Sequence, residues 1–281
     1  MKIPDQNDGP AFEEDSVNEL LRSFGRQMKI LREAAGLTQA ELGKKLGYSE
    51  SAVSAVERGA RIPRPEMIES VDKVLRARGL LLTRKREIGY AHYPAFFRDA
   101  ARIEEEAVEF HQYAPLIVPG MLQTEDYSRA IFRMWRPRRH DAEIEQLVAA
   151  RMARHALFDR KPAPTLSFVL EESVLQRRLG GVEVLRGQLE HLLLVCDDPN
   201  VEIQVMPTRV SDHACVDGPF TLMTAQGQEQ VGYLESQGYG RVIHDQETVR
   251  ELAVRYGILR AQAMPPLESM QFIEKLLQGV L

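Results

Sequence analysis

The fold of the N-terminal part of the chain is decided by residues 37–59, which read LTQAELGKKLGYSESAVSAVERG. Thr38 followed three residues later by Glu41 is the pattern of a capping box, which predicts the start of a helix. Gly47 predicts the end of that helix, because glycine accepts the left-handed backbone that follows many helices. Ser49 then predicts the N-cap of a further helix. The stretch therefore predicts two short helices joined by a tight turn.

Apolar residues inside this stretch and on both sides of it recur at the three- and four-residue steps of a helix. The core between the two short helices consists of Leu42, Leu46, Val53 and Val56. A preceding helix has one apolar face made of Leu20, Phe24, Met28, Leu31 and Ala35. A following helix has Ile68, Val71 and Leu75 on its inner face. The sequence thus predicts four helices within about sixty residues, each with its own start and stop signals.

The third helix begins with short polar residues that point outward in this arrangement. They are Ser49, Glu50, Ser51 and Ser54. Hydroxyl groups can donate to or accept from base edges, and a glutamate can accept a hydrogen bond from cytosine N4. Gln39, at the start of the second helix, is placed either to touch backbone phosphate or to brace the third helix. The free N–H groups at both helix N-termini are suited to phosphate.

These residues closely resemble the Cro/repressor type of helix-turn-helix, the XRE family, over about 55 residues of the chain. Gly43 is small, which should let the third helix pack closely over the second. It replaces a usual alanine, which predicts a loosening of the second helix by up to about 1 kcal/mol, and Tyr48 replaces a usual small aliphatic residue. The resemblance implies a domain that binds double-stranded DNA, with Glu57 supporting the fold. The implied DNA-binding residues are Thr38, Gln39, Ser49, Glu50, Ser51, Ser54, Arg58 and Arg61. Arg26, Lys44, Lys45 and Arg64 are either further phosphate contacts or solvated surface charges.

The charge pattern agrees with a nucleic-acid-binding module inside an acidic chain. Residues 23–87 contain 14 Lys/Arg and 8 Asp/Glu, a net charge of +6. Residues 1–22 carry −4 and residues 88–281 carry −7, so the whole chain carries −5. A basic segment between two acidic ones is expected when only one part of a chain meets phosphate.

Length and composition limit the remaining possibilities. The 281 residues suffice for one large domain or two smaller ones. No apolar run approaches the roughly 18 residues needed to cross a membrane, and the acidic start lacks the apolar region of a secretory signal. Cys196 and Cys215 are expected to be reduced thiols without a metal-type spacing. We therefore expect a cytoplasmic protein with no membrane association, no metal and no cofactor.

The C-terminal part predicts strands interleaved with helices, hence an α/β or α+β domain. Strands are predicted at 107–113, 165–170, 201–206, 220–223 and 231–235. Helices are predicted at 124–135, 142–158, 182–195, 247–263 and 267–278. The predicted organisation is a disordered acidic tail at 1–15, a helix-turn-helix domain at 16–80, a linker at 81–92 and a regulatory or partner-binding domain at 93–281.

No enzyme constellation is found in this part: it has no glycine-rich phosphate loop, no G-x-S-x-G and no H-E-x-x-H. Glu171 and Glu172 follow a strand and are a candidate general acid/base pair, but adjacent residues on a strand point to opposite faces, so a shared site is not expected. His213, Cys215 and His244 are expected to be unpaired surface residues rather than zinc ligands. A basic cluster around Trp135 is either a site for an anionic partner or a solvated loop; it contains Arg133, Arg136, Arg138, Arg139 and His140. We expect a protein that is not an enzyme.

A second resemblance covers the chain from about residue 89 onward. It is carried by YAPLIVPGMLQTEDY at 113–127, RMAR at 151–154, PNVEIQVMP at 199–207 and GPFTL at 218–222. These segments look like the uncharacterised domain that follows the helix-turn-helix in many actinobacterial regulators, among them the WhiJ-like ones. The resemblance implies a domain that receives a signal by binding a small cognate protein encoded nearby. Residues 118–124 are either a signature turn of that fold or a site.

The sequence as a whole favours a sequence-specific transcriptional regulator that acts as a homodimer, because one recognition helix reads too few base pairs. Two alternatives stay open: an antitoxin-like protein that sequesters a small partner, and a small-molecule-responsive regulator. A wide exposed apolar patch on the C-terminal domain would favour a protein partner, whereas an enclosed apolar cavity would favour a small ligand.

Overall fold

The computed structural model describes residues 10–280, with side chains described for residues 17–279. The chain forms two compact units, the first ending at Arg98 and the second beginning at Asp99. The first is helical and the second combines helices with a six-stranded sheet, as predicted for the fold class. Of the predicted disordered tail, residues 1–9 lie outside the described part, whereas residues 10–15 belong to the first helix.

Five α-helices lie in the described part of the first unit. They are α1 (Pro10–Ala34), α2 (Gln39–Leu46), α3 (Glu50–Glu57), α4 (Pro65–Val74) and α5 (Lys85–Tyr90). Their inner faces share one core, in which Phe24, Met28, Leu42 and Val53 are almost completely buried. The first four helices are those that the apolar periodicity predicts. The core positions recur every three or four residues, as in an amphipathic helix, and charged residues lie on the outer faces.

The turn between α2 and α3 follows the local chemistry of its residues. The Thr38 hydroxyl accepts the Glu41 N–H, and the Glu41 carboxylate accepts the Thr38 N–H at 2.7 Å, so the predicted capping box is present. Gly47 has φ 75°, in the left-handed region that favours glycine. The Ser49 side chain accepts the N–H of Ala52 and caps α3. All three features were predicted from the sequence.

Gly43 is required by packing, and the predicted close approach of the following segment to α2 is confirmed. A Cβ atom at this position would lie 2.6 Å from the backbone oxygen of Tyr48. Real carbon–oxygen contacts are rarely so short, so alanine here would have to push the turn away from α2. The absence of a side chain therefore allows the turn to fold back on the helix, at the expense of some helix propensity.

The prediction of a linker at 81–92 is wrong, because this segment folds as part of the first unit. A 3₁₀ helix, Leu82–Arg84, and α5 occupy most of it, and Leu81 and Ile88 are completely buried in the core of the first unit. The buried carboxylate of Asp72 holds the preceding turn, because it accepts the N–H groups of Gly79 and Leu81 at 2.9 and 3.0 Å. The many basic residues of this segment indicated a linker, although Leu81 and Ile88 attach it to the core.

The second unit contains seven helices and six strands within the described residues. The helices are α6 (Arg98–Glu105), which begins at the boundary, α7 (Glu125–Met134), α8 (Asp141–Ala153), α9 (Glu172–Gln176), α10 (Val182–Cys196), α11 (Gln246–Gln262) and α12 (Pro266–Val280). The strands are β1 (Ala107–Ala114), β2 (Thr165–Glu171), β3 (Val201–Met206), β4 (Phe220–Ala225), β5 (Val231–Ser236) and β6 (Tyr239–Ile243). The short helices α6 and α9 and the strand β6 were not predicted.

The strand order of the sheet is β3-β2-β1-β4-β5-β6. The first three strands in that order are parallel, and β4, β5 and β6 join them as an antiparallel meander. At the β3 edge the backbone is covered, because the Val205 N–H donates to Ser269 Oγ and the Met264 N–H donates to the Val205 oxygen. α11 packs on one face through Val249, Leu252 and other buried residues. Among residues 10–280, no helix combines the length and apolarity that a bilayer crossing requires.

We predict that Gly43→Ala lowers the free energy of unfolding of the first unit by about 1–3 kcal/mol, since the methyl group overpacks the turn. Gly89→Ala in α5 is the matched control, because no atom lies within 4 Å of its Cβ position. That variant should leave stability unchanged or raise it by up to about 1 kcal/mol. Urea unfolding of both variants measures the free energy of unfolding. The prediction is contradicted if Gly43→Ala is as stable as the wild type or if Gly89→Ala loses as much stability as Gly43→Ala.

Candidate nucleic-acid interface

The outer side of α3 is a polar stripe at helical spacing. Glu50, Ser51 and Arg58 are exposed and Ser54 is partly exposed. The opposite side is formed by residues such as Val53 and is buried. The stripe runs from the N-terminal end of the helix to its last residue and its C-cap. A helix with this distribution can present its polar side to a partner while its apolar side holds it to the domain.

The two predicted N-cap residues use their hydroxyl groups within the protein. The Thr38 hydroxyl donates to Glu41 Oε2 at 2.8 Å, in addition to its cap bond. The Ser49 and Ser51 hydroxyl oxygens are 3.0 Å apart, so one donates to the other. The Arg58 guanidinium donates to Ser54 Oγ. The polar side chains of this surface are therefore already oriented by bonds among themselves.

Gln39 braces α3, which was one of the two roles predicted for it. Its Nε2 donates to Glu57 Oε2 at 2.7 Å. The same carboxylate accepts two bonds from Arg32, with Nε 2.6 Å from Oε1 and NH2 3.1 Å from Oε2. Arg32 also donates to the backbone oxygen of Leu37 at 2.7 Å. We name this set of Arg32, Gln39 and Glu57 the anchor network.

The anchor network is buried, since Arg32 is 7% and Glu57 is 6% exposed. The hydrogen bonds that Arg32 donates to Glu57 raise the pKa of Arg32, which remains cationic. Sequence reasoning placed Glu57 in a structural role but missed Arg32. The available signal was that Arg32 follows Met28 by four residues and so continues the apolar face of α1, where a charge requires a partner.

Close backbone contact supports the same geometry. A Cβ atom on Gly25 would lie 2.4 Å from the backbone oxygen of Glu57 and 2.5 Å from that of Val56. Glycine at this point therefore allows α1 to touch the C-terminal turn of α3. The recognition surface is thus held by one bidentate ion pair and one backbone contact.

Basic residues surround this surface. Arg61, like Arg58, is exposed, and among the described residues it makes no ion pair. The cations left with two possible roles are also exposed: Arg26, Lys44, Lys45 and Arg64. Their positions fit either of the roles left open for them.

The second unit brings together residues that the sequence predicted to be unpaired. The His213 Nε2–H donates to Glu171 Oε1 at 2.9 Å, because the Nδ1 atom accepts the N–H of Cys215. The Tyr113 hydroxyl donates to the same oxygen at 2.9 Å, and burial followed by this bond raises the pKa of Tyr113. The expectation of unpaired surface residues is therefore wrong for His213 and for the buried Cys215.

Glu172 begins α9 and does not share a strand with Glu171, and its carboxylate accepts the N–H of Thr208. Within the described part of the chain, no group of three or more His, Cys, Asp or Glu side chains is placed to hold a metal ion. The cluster ties the loop before β4 to the ends of β1 and β2.

The basic cluster around Trp135 is engaged within the unit. The Arg139 guanidinium lies 4.6 Å from the centre of the indole ring and pairs with Glu143. The Arg136 guanidinium donates to backbone oxygens at the end of α7, including that of Arg133. These contacts favour the interpretation of this segment as a folded surface loop.

The first unit is a helix-turn-helix domain: residues 23–84 match the family model described as Helix-turn-helix domain. Residues 97–275 match the model described as Domain of unknown function (DUF5753), and the chain belongs to that family. No curated protein and no solved structure matches the chain. The predicted resemblance, an XRE-type helix-turn-helix followed by an uncharacterised domain, is confirmed, and it indicates a DNA-binding regulator.

We predict that Arg32→Ala lowers the free energy of unfolding of the first unit by about 3–5 kcal/mol, because Glu57 would remain buried without its cation. Lys29→Ala is the control on the same helix, since Lys29 pairs with Glu33 at 3.9 Å on the exposed side. Its loss should stay below about 0.5 kcal/mol. Denaturant unfolding measures both, and equal losses would mean that the anchor network is not what holds α3.

Proposed function

We propose that the protein is a sequence-specific transcriptional regulator in the cytoplasm, which reads double-stranded DNA with α3. The observation that supports this most is the exposed polar stripe of α3, held on a rigid support by the anchor network. In helix-turn-helix proteins the N-terminal end of the recognition helix enters the major groove. A helix held from beneath keeps its outward side chains in register with the base edges.

The proposed contacts divide into two classes. Glu50, Ser51 and Ser54 face base edges, where carboxylate and hydroxyl groups read donors and acceptors. Arg58 and Arg61 bind phosphate and supply affinity without sequence preference. Thr38, Gln39 and Ser49 lie at the N-termini of α2 and α3, where backbone N–H groups and the helix dipole favour phosphate.

The proposed functional form is a homodimer. α3 has eight residues and is therefore about 12 Å long, which covers only part of one groove segment. Two copies reading half-sites about one helical turn apart would supply the missing affinity and specificity. The short polar side chains of the stripe favour the same solution, since each offers only one or two hydrogen bonds.

We predict that replacing Ser51 and Ser54 together by alanine weakens binding to the operator by about tenfold and leaves non-specific binding nearly unchanged, because base contacts discriminate between sequences. Arg61→Ala should weaken both kinds of binding and lower the slope of log affinity against log salt by about one. Arg133→Ala, in the second unit, is the control.

Fluorescence anisotropy with fragments selected from genomic DNA, at several salt concentrations, measures these effects. The proposal fails if neither the promoter of the gene nor any genomic fragment is retained at low salt. It also fails in its assignment of α3 if the double serine variant and Arg133→Ala behave alike.

For the second unit we propose binding of a small partner protein, and an exposed apolar surface on α11 supports this. Val254 and Ile258 are 57% and 45% exposed, whereas Val249, Leu252 and other residues on the inner side are buried. Val216, in the loop before β4, is 84% exposed. We call these three residues the α11 patch.

Two contacts bring the loop alongside α11. The Ala214 N–H donates to Gln262 Oε1 at 3.1 Å, and Arg255 pairs with Asp217 at 3.2 Å. Val216 lies between these points and so extends the exposed face of the helix. A shallow groove on the same helix is lined by Glu247, Arg250, Glu251, Val254 and Arg255. Its openness favours a protein surface over an enclosed small ligand.

The occupant that fits is a small protein with an apolar segment flanked by charges of both signs, which would meet Glu251 and Arg250 beside the α11 patch. If binding changes operator affinity, the partner delivers a signal to the regulator. If it does not, the antitoxin-like alternative holds and sequestration is the main role. No catalytic activity is assigned to either unit in this proposal.

We predict that Val254→Glu combined with Ile258→Glu abolishes binding of the small protein encoded beside the gene, because two buried charges would replace the apolar contact. Leu194→Glu on α10 is the control, since Leu194 is exposed away from the α11 patch. Isothermal calorimetry with the purified pair measures binding, and anisotropy measures DNA retention. If the double variant binds the partner normally, the α11 patch is not the partner site. If the double variant turns a dimer into a monomer, the patch is a contact between two copies of the chain.

A further inference from the structure

Two sequence segments that the DNA-binding proposal leaves unused meet in the second unit. The first contains Gln123 and the second is the end of α8 with Arg151. The Gln123 Nε2 donates to the Val118 oxygen at 2.7 Å. Its Oε1 accepts from Ser128 Oγ at 3.0 Å and from Arg151 NH1 at 2.8 Å. The turn and the helix end are therefore joined through a single amide whose orientation is fixed on both sides.

Gly120, in the same turn, is approached by two guanidinium groups. A Cβ atom on this residue would lie 2.6 Å from Arg154 NH1 and 3.4 Å from Arg151 Nε. Two cations thus converge on a backbone segment that has no side chain. Like charges at such separations repel unless counter-charges are present.

Only one of these two cations has a counter-charge in contact. Arg154 pairs with Glu104 through two hydrogen bonds of 2.6 and 2.7 Å, and both side chains are less than a tenth exposed. Arg151 has no carboxylate within ion-pair distance among the described residues. Its guanidinium contacts the Gln123 amide and lies 4.4 Å from the centre of the Phe132 ring. The arrangement leaves one positive charge without an anion.

Burial makes this imbalance costly. Burial, followed by repulsion from Arg154, lowers the pKa of Arg151 to about 10, and Glu235 and Glu104 only partly offset these effects from a distance. Arg151 therefore remains cationic at neutral pH in an environment that disfavours its charge. Isolated charges in protein interiors are normally paired, because their desolvation is not otherwise compensated.

Arg151 is partly exposed, and none of its guanidinium nitrogens is among the fully buried ones that lack a hydrogen-bond partner. The bond to Gln123 uses one of the five N–H donors of Arg151, and no other hydrogen bond of its guanidinium to the described residues is observed. An edge with two parallel N–H groups matches the two oxygens of a carboxylate or phosphate.

We propose that Arg151, oriented by Gln123 and Phe132 beside Gly120, is a binding site for the oxyanion group of a small ligand, a carboxylate or a phosphate. The site lies wholly in the second unit. It goes beyond the DNA-binding function and does not depend on it. Gln123 and Phe132 are positioning residues, and Arg151 makes the contact with the anion.

The test uses the full-length protein and inorganic phosphate or acetate as probes, titrated by calorimetry at constant ionic strength against sodium chloride. We expect saturable binding of one equivalent to the wild type. Arg151→Met, which keeps the apolar contact with Phe132, should raise the dissociation constant about tenfold to a hundredfold. Arg133→Met and Arg178→Met, at exposed positions of the same unit, should bind as the wild type does, and the tighter of the two probes identifies the ligand class.

A measurement on the unmodified sequence covers the case in which Arg151→Met does not fold. Phenylglyoxal reacts with deprotonated guanidine groups, and mass spectrometry reports the rate at each arginine. Saturating phosphate or acetate should protect Arg151 and leave Arg133 unchanged. The proposal is overturned if neither anion binds more strongly than chloride, if Arg151→Met binds them as the wild type does, or if Arg178→Met loses binding as strongly as Arg151→Met.

Discussion

The buried ion pair between Arg32 and Glu57 is the interaction on which the geometry of the helix-turn-helix depends. It joins α1 to the last turn of α3 across 25 residues of sequence. Both groups also form hydrogen bonds with α2 or the residue before it. Glu57 accepts a bond from Gln39, and Arg32 donates to the Leu37 oxygen. Three helices are therefore tied at one point. Because charges inside a protein are tolerated only in nearly complete bonding geometry, any shift of α3 that broke one of these bonds would be strongly opposed.

Such a network constrains direction more than it adds net stability. Apolar packing holds α3 against the core equally well over a range of small rotations, since Val53 and Val56 contact it without directional bonds. Hydrogen bonds to a fixed carboxylate select one rotation among these. The rotation of α3 in turn fixes the direction in which its exposed stripe points, because the stripe residues are on the same short rigid helix. Gly25 then sets the distance between α1 and α3, and the ion pair sets the angle.

The parts of this fold that sequence could predict are local in origin. The capping box at Thr38 and the left-handed turn at Gly47 depend on residues within a few positions, and both were predicted. Non-local features escaped. Arg32 finds its partner across 25 residues, and Glu171 accepts from His213 across 42. β6 was missed because its glycine and arginine weaken the alternating pattern, so that its pairing with β5 defines it instead.

Arg32 and Arg151 differ in the groups that surround their guanidinium. Arg32 has its carboxylate within hydrogen-bond distance, and the bonds raise its pKa. Arg151 has an amide and an aromatic ring in place of a carboxylate, and burial lowers its pKa. The charge of Arg32 is balanced by the Glu57 carboxylate, so no further anion is needed beside it. The second is charged, accessible and uncompensated, which is the condition that an anion relieves; the difference in pKa direction follows from the same difference in partners.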